Sequence, residues 1–431
     1  MSEQYLHQKK EIYKMKNKKI ISGIDIGTTK IAVIIAEIDQ ENEINIIGFG
    51  ESNSNGLRRG IVVDIESTVK SLEKAVNLAE EQAGFEIESA YVGLTGEHIK
   101  AISCSGAITI SNSEYMNPEG DIIKTEHIEK VLKHAQAIRM APDSKILHTI
   151  SKKYKVDDRD KIKNPKGLSG HRLEANVLLV TIQRSIERDL KTCLKDIGIR
   201  FDGFVLEPIA SSYSVLDNDE RNLGVALIDI GGGTSDIIIF YENAIIHTAA
   251  IPLGGESITK DIAYALNTSI KQAEIVKCKY GISKASLANS DIEITIKGTN
   301  GRDDILTNQK ELSEIIEARM HEIFILAKNE INTHQDASNI NLNFGIVLTG
   351  GGSQLTNISD LGNEIFQLDT KIGKPNSING LNDIIENPRY STTIGLVKYA
   401  LENNEIEIND EDDSMFNSIK EIFKKLKNKI N

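Results

Sequence analysis

Short apolar runs alternate with longer amphipathic ones along this chain. "KIISGIDIG", "KIAVIIAEI" and "NEINIIGFG" are rich in Ile and Val and separated by Gly, Thr, Asn and Glu, which predicts the strands of a meander. In "DIESTVKSLEKAVNLAEEQAG", Val69, Leu72, Ala75, Val76 and Ala79 fall on one helical face, and Gly84 is placed to end the helix. Strands followed by a helix predict an α/β layer. From 89 to 181 the texture changes. "SAYVGLTGEHIKAISCSGAITI" reads as strands, "TEHIEKVLKHAQAI" as a short helix with Thr125 as a cap, and "DKIKNPKGLSGHRLEANVLLVTI" as a Gly/Pro-punctuated loop entering a strand. This segment is read as an inserted subdomain. The first layer then resumes through "SIERDLKTCLKDIGI", "RFDGFVLEP" and "IASSYSVLD", and "LGVALIDIGGGTSDIIIFYENAIIHTAAIPLGG" opens a second meander. Two related halves follow. The first core comprises 20–88 and 182–219, with 376–400 returning to it. The second comprises 220–260 and 336–375, and carries its own helical and stranded subdomain at 261–335.

Bulk properties narrow the function classes. Fifty basic against 63 acidic residues give a net charge of −13, which argues against a whole-protein grip on nucleic acid. Cys104, Cys193 and Cys278 are isolated and lack CxxC spacing, so neither a disulfide framework nor a zinc site is indicated, and a cytosolic location is expected. The histidines show no HExxH spacing and read as structural or surface residues. No apolar run is long enough to span a bilayer, and residues 1–19 form a lysine-rich tail without a signal-peptide core.

The candidate chemistry lies in the glycine turns. Gly231, Gly232, Gly233 and Thr234 expose successive backbone N–H groups with no Cβ in the way, which suits a phosphate, and Thr234 adds a hydroxyl. Asp229 ends the preceding strand, where a divalent cation or water must separate it from a phosphate. The first meander offers Asp25, Gly27, Thr28, Thr29 and Lys30 for the same purpose. Two such turns facing each other would clamp a polyphosphate, with Mg²⁺ between Asp25 and Asp229. A third turn, Gly350, Gly351, Gly352 and Ser353 in "FGIVLTGGGSQLTNI", suits an adenosine lying against backbone. Neither GxxxxGK[ST] nor a strand-to-helix GxGxxG is present.

Taken in order, two phosphate turns and one adenosine turn resemble the actin, Hsp70 and sugar-kinase ATPase superfamily. Within it, "NGLRRGIVVDIES", "KNPKGLSGHRLEA", "ASSYSVL", "RNLGVALIDIGGGTSDI", "SDLGNEIF" and "NPRYSTTIGL" resemble the FtsA family of bacterial cell-division proteins, over about residues 20 to 400. The resemblance implies an α/β, actin-like fold of two ribonuclease-H-like domains around a nucleotide cleft, with the FtsA-type subdomain inserted. It implies ATP and Mg²⁺ as ligands, with slow hydrolysis at most. Glu207 and Asp229 are the implied catalytic residues, Glu207 matching the position that orients the attacking water. Glu274 and Lys277 in "QAEIVKCKYG" are implied to reach ribose and base. Implied partners are the FtsZ C-terminal tail, with Arg319 in "IIEARMHEIFILAKNEI" as its contact, further copies of the chain in a filament, and other division proteins through the inserted subdomain. A sugar kinase or an Hsp70-like ATPase is the alternative. The first would need a substrate cleft with its own catalytic aspartate, and the second a substrate-binding domain where only about 30 residues follow the core.

The carboxy-terminal region carries a separate signal. Residues 401–413 are acidic and read as a solvated linker. In "SMFNSIKEIFKKLKNKIN", residues 414–431, Met415, Phe416, Ile419, Ile422, Phe423, Leu426 and Ile430 follow helical spacing and lysines fill much of the remainder. Such a helix suits anionic lipids at the cytoplasmic membrane face; the alternative is docking on its own domain.

Overall fold

The computed structural model describes residues 19–110, 120–298, 303–338 and 340–403. The amino-terminal tail, most of the acidic linker and the basic amphipathic segment lie outside them. The chain enters through β1 (Lys19–Ile26), β2 (Lys30–Ile38) and β3 (Ile44–Asn53), then α1 (Ile65–Ala83) and β4 (Ser89–Leu94). The Asp64 side chain accepts the Ser67 N–H to start α1, and Gly84 ends it at φ 64°, donating to Glu80 O. Next come β5 (Lys100–Thr109), α2 (Thr125–Gln136), β6 (Ser144–Val156), β7 (Arg159–Ile162) and β8 (Arg172–Gln183). Thr125 is the first residue of α2 rather than its cap; Lys124 holds the cap position, its N–H donating to His127 Nδ1. The first layer resumes with α3 (Arg184–Asp196), β9 (Arg200–Leu206) and α4 (Glu207–Val215).

The second half runs β10 (Val225–Ile230), β11 (Ser235–Tyr241), β12 (Ala244–Ile251), α5 (Gly255–Ala265) and α6 (Ile270–Tyr280). A hairpin of β13 (Glu293–Ile296) and β14 (Ile305–Asn308) precedes α7 (Gln309–Ser338), β15 (Ile346–Thr349), α8 (Ile358–Phe366) and β16 (Thr370–Ile372). A last helix, α9 (391–403), returns to the first half. It continues through 401–403, which the sequence suggested as the start of the linker.

Two five-stranded sheets result, with orders β9-β4-β1-β2-β3 and β12-β11-β10-β15-β16. In each, an antiparallel meander is extended by two parallel strands beside its first member. β1 and β10 are therefore central, and 21–26 and 225–230 are buried on both faces without alternation. A separate sheet of order β7-β6-β8-β5 with α2 across it is the insertion. β4, read from the sequence as the start of that insertion, instead pairs with β1 and β9 in the first sheet. Its local pattern matched a strand of either sheet, and only the long-range pairing decides between them. Between the halves, Val205, Leu206 and Ile209 pack with Val225, Leu227, Ile238 and Leu396 in one shared core.

Candidate nucleotide site

Each meander carries an aspartate one residue before the end of its first strand and turns back through a hydrogen bond of the same form, Gly27 N–H to Lys30 O at 3.0 Å and Gly231 N–H to Thr234 O at 2.9 Å. The two turns meet across the interface. A Cβ on Gly232 would lie 2.4 Å from Thr29 Cγ2, and one on Gly233 would lie 2.5 Å from Thr28 Oγ1, so this approach requires glycine. The second turn is braced from behind: Gly255 and Glu256, at the start of α5, donate their N–H groups to Gly231 O and Gly232 O at 2.9 and 2.8 Å.

Four carboxylates converge here, all buried: Asp25, Asp229, Asp236 and Glu207. Lys30 Nζ bonds Asp25 Oδ2 at 2.5 Å. Ser211 and Thr392 donate to Asp229 Oδ2 at 2.5 and 3.1 Å, while Thr393 Oγ1 lies 3.5 Å from Asp25 Oδ2. Asp236, paired with Asp229 in register, accepts from Thr95 at 2.5 Å and from Thr234 at 3.0 Å. Glu207 opens α4, and its Oε1 has no hydrogen-bond partner. Burial raises Glu207 well above the usual carboxylate range, and the neighbouring Asp25, Asp236 and Asp229 push it further. Burial also raises Asp229, against the pull of the Ser211 and Thr392 hydroxyls, and lifts Asp236 to about 7 despite Thr95.

The third glycine turn adjoins the same aspartate. Gly350 has φ 81°, and a Cβ there would stand 2.2 Å from Asp229 Oδ1. Gly352 rests on Ile230, and Gly351 lies beside the Arg389 stem. Ser353 turns its hydroxyl inward to Gly350 O at 2.7 Å, so it closes the turn. Lys277 is buried, with Nζ bonded to Gly255 O at 3.0 Å, Thr259 Oγ1 at 2.8 Å and Glu274 Oε2 at 2.7 Å. These contacts tie α6 to the start of α5, beside the second turn. Burial opposes ionisation of Glu274, yet the Lys277 ammonium and its hydrogen bonds hold the carboxyl low.

Sequence reasoning missed Asp236, Thr95, Ser211, Thr392 and Thr393. Asp236 stood in "GGGTSDI", with the register against Asp229 as its available signal. Ser211 and the two threonines lay in quoted motifs without a role. Thr95 meets Asp236 from 141 positions away and left no local trace. Arg319 lies apart from the site, on α7. Its guanidinium forks onto Asp261 at 2.6 and 3.0 Å and also bonds Glu322, so an acidic peptide there competes with two internal carboxylates. The segment 414–431, with Met415 to Ile430, lies outside the described residues. No helix among the described residues is long and apolar enough to cross a membrane.

A duplicated α/β layer with opposed glycine turns over paired aspartates, and a subdomain inserted in the first half, is an actin-type fold. Solved structures agree on the fold. The PilM-PilN type IV pilus biogenesis complex matches with a TM-score of 0.63 at 12% identity, over 88% of this chain and 98% of that one. MreB5 of Spiroplasma citri bound to ADP matches at 0.54 and 16%, over 90% and 98%. The sequence comparisons go further. The model described as cell division protein FtsA matches residues 226–395, and that of the SHS2 domain inserted in FtsA matches 96–181. FtsA of Pseudomonas aeruginosa is 39% identical over 386 residues, 89% of this chain and 90% of that protein. FtsA of Bacillus subtilis is 36% identical over 395 residues, 91% and 86% respectively. The chain belongs to the FtsA family of actin-like cell-division proteins.

Proposed function

We propose that the chain binds Mg²⁺-ATP between two ribonuclease-H-like halves, polymerises on the cytoplasmic face of the membrane and tethers the FtsZ ring there at the division site. The observation that carries the nucleotide reading is the matched pair of turns over a pocket of four buried carboxylates served by one lysine, with one carboxylate oxygen left without a partner. Buried acids in this number need positive charge, and the donor set, carboxylate and hydroxyl oxygens beside exposed backbone N–H groups, fits Mg²⁺ with a polyphosphate. MreB5 of Spiroplasma citri, which has the same fold, has been solved with ADP and with AMPPNP.

In this reading Asp25 and Asp229 hold the cation, directly or through water, and the two turns with Lys30 hold the phosphates. The turn of Gly350, Gly351, Gly352 and Ser353 takes the adenosine, and Glu274 and Lys277 reach its ribose and base. Magnesium, when bound, supplies the positive charge that offsets phosphates and carboxylates. Thr392 and Thr393 fix the two aspartates from the first turn of α9, and Ser211 fixes Asp229 from the middle of α4. Glu207, buried with an unused acceptor, is placed to orient a water. Replacing Glu207 by Gln should leave ATP affinity within a few-fold and lower phosphate release; unchanged release would make it structural.

The remaining parts rest on family membership and on the sequence outside the described residues. The segment 414–431 binds anionic lipids through its apolar face, α7 with Arg319 receives the FtsZ C-terminal tail, and the inserted subdomain engages other division proteins. The test of the whole reading is imaging of the purified protein on an anionic lipid monolayer with and without ATP. ATP-dependent filaments on lipid support it, and lipid binding without filaments refutes the polymerising part. Calorimetry tests the pocket: Asp229→Ala with Gly232→Asp should abolish ATP binding, since one change removes a cation partner and the other sets a like charge beside the phosphates.

A further inference from the structure

Between the edge strand β12 and helix α7, three side chains that the nucleotide site does not use converge. His247 projects from β12, and Glu330 and His334 lie one turn apart on α7. His247 Nε2 is 2.6 Å from Glu330 Oε1, and His334 Nε2 is 3.6 Å from the same oxygen. One donor atom from each residue lies within 4.8 Å of the others. The two imidazoles face each other, with centroids 3.4 Å apart and planes 10° from parallel. We propose that His247, Glu330 and His334 form a site for a borderline divalent transition ion, Zn²⁺ in the first instance, with solvent completing its shell.

The donor chemistry carries this. Two imidazoles and one carboxylate are a typical zinc set, with metal–nitrogen distances of about 2.0–2.1 Å. A hydrogen-bonded ion pair would need one ring and one carboxylate; here a second ring is brought to the same oxygen. Burial pushes His247 down to about 4 and His334 below its usual value, the direction in which a ring offers a nitrogen lone pair to a metal. Both rings cannot point to one ion while parallel. His334, on the more open side, must swing about its own side-chain torsions to complete the set. Lys152 on β6 acts against a cation here, since its charge reaches both rings, but its Nζ is engaged with Ser103 Oγ at 2.9 Å. The location gives the ion a structural role, pinning β12 to α7 beside the inserted sheet.

The test uses the tag-free full chain in excess Mg²⁺, which occupies oxygen-rich sites, titrated with ZnCl₂ by calorimetry and with Co²⁺ by visible absorption. One tight equivalent of Zn²⁺, Co²⁺ ligand-field bands and a higher melting temperature with Zn²⁺ are expected. His334→Ala, at a half-exposed helix position, should keep the fold by circular dichroism, weaken Zn²⁺ roughly tenfold or more and abolish the Co²⁺ bands. Glu330→Gln should act in the same direction. No binding, or tight binding that survives His334→Ala, overturns the proposal; the latter would locate the ion elsewhere.

Discussion

Asp236 shows how a buried carboxyl couples the pocket to pH. Its proton is held to about 7 against an ordinary 3.8, so the folded state binds that proton more tightly than the unfolded chain. Between those values stability falls as pH rises, and above them the full cost of the buried charge is felt. Without cation and nucleotide, the protein should melt several degrees lower at about pH 8 than at about pH 5.5. Asp236→Asn should raise the melting temperature at the higher pH and leave it nearly unchanged at the lower; an equal effect at both would exclude titration as the cause. Asp229 and Glu207 act with the same sign. The aspartates that begin the turns were readable as chemistry because glycines announced them. Asp236 was not, because it follows its turn inside an apolar strand, and its significance comes from register opposite Asp229. Thr95, Thr392 and Thr393 were silent for a related reason: a hydroxyl gains its role from what folding places beside it.

Helices α4 and α9 cross so closely that a Cβ on Gly395 would sit 1.8 Å from Ala210 O. No rotamer relieves a clash with backbone. Gly395→Ala should therefore separate the helices at a cost of about 1–3 kcal/mol, lowering the melting temperature by roughly 2–4 °C per kcal/mol. It should also weaken ATP, because Ser211 on α4 and Thr392 on α9 both hold Asp229. Normal affinity in this variant would mean that the two hydroxyls are not needed to position the aspartate. At this scale the sequence was informative where a pattern was local. The meanders, α1 with its Gly84 stop and the duplicated halves all follow from period and turn chemistry. It was ambiguous where pairing is distant, and β4 is the example, its membership decided by contacts with β1 and β9.

For the molecule as a whole, the proposed tether makes its own prediction. Removing residues 414–431 should release the protein from anionic liposomes while ATP binding persists, and Phe416→Glu with Phe423→Glu should do nearly the same by charging the apolar face. Salt should weaken attachment only in part, since the apolar contribution is unscreened. Liposome co-sedimentation that survives both changes would mean that the segment packs on its own protein. One feature of the fold bears on how such an anchor would act. Helix α9 carries Thr392 and Thr393 in its first turn, bonded to the aspartates of opposite halves, and runs about 20 Å, at roughly 1.5 Å per residue, to the last described residue before the carboxy-terminal segment. It is a stiff rod with the carboxylate cluster at one end and, beyond its other end, the linker that leads to the proposed anchor. If the proposed anchor holds the membrane, tension on it would reach the threonines through this rod and work against their contacts to both carboxylates. Under the proposed function, nucleotide affinity and tension at the membrane would then be conjugate quantities, and the pocket would serve as a gauge of mechanical load.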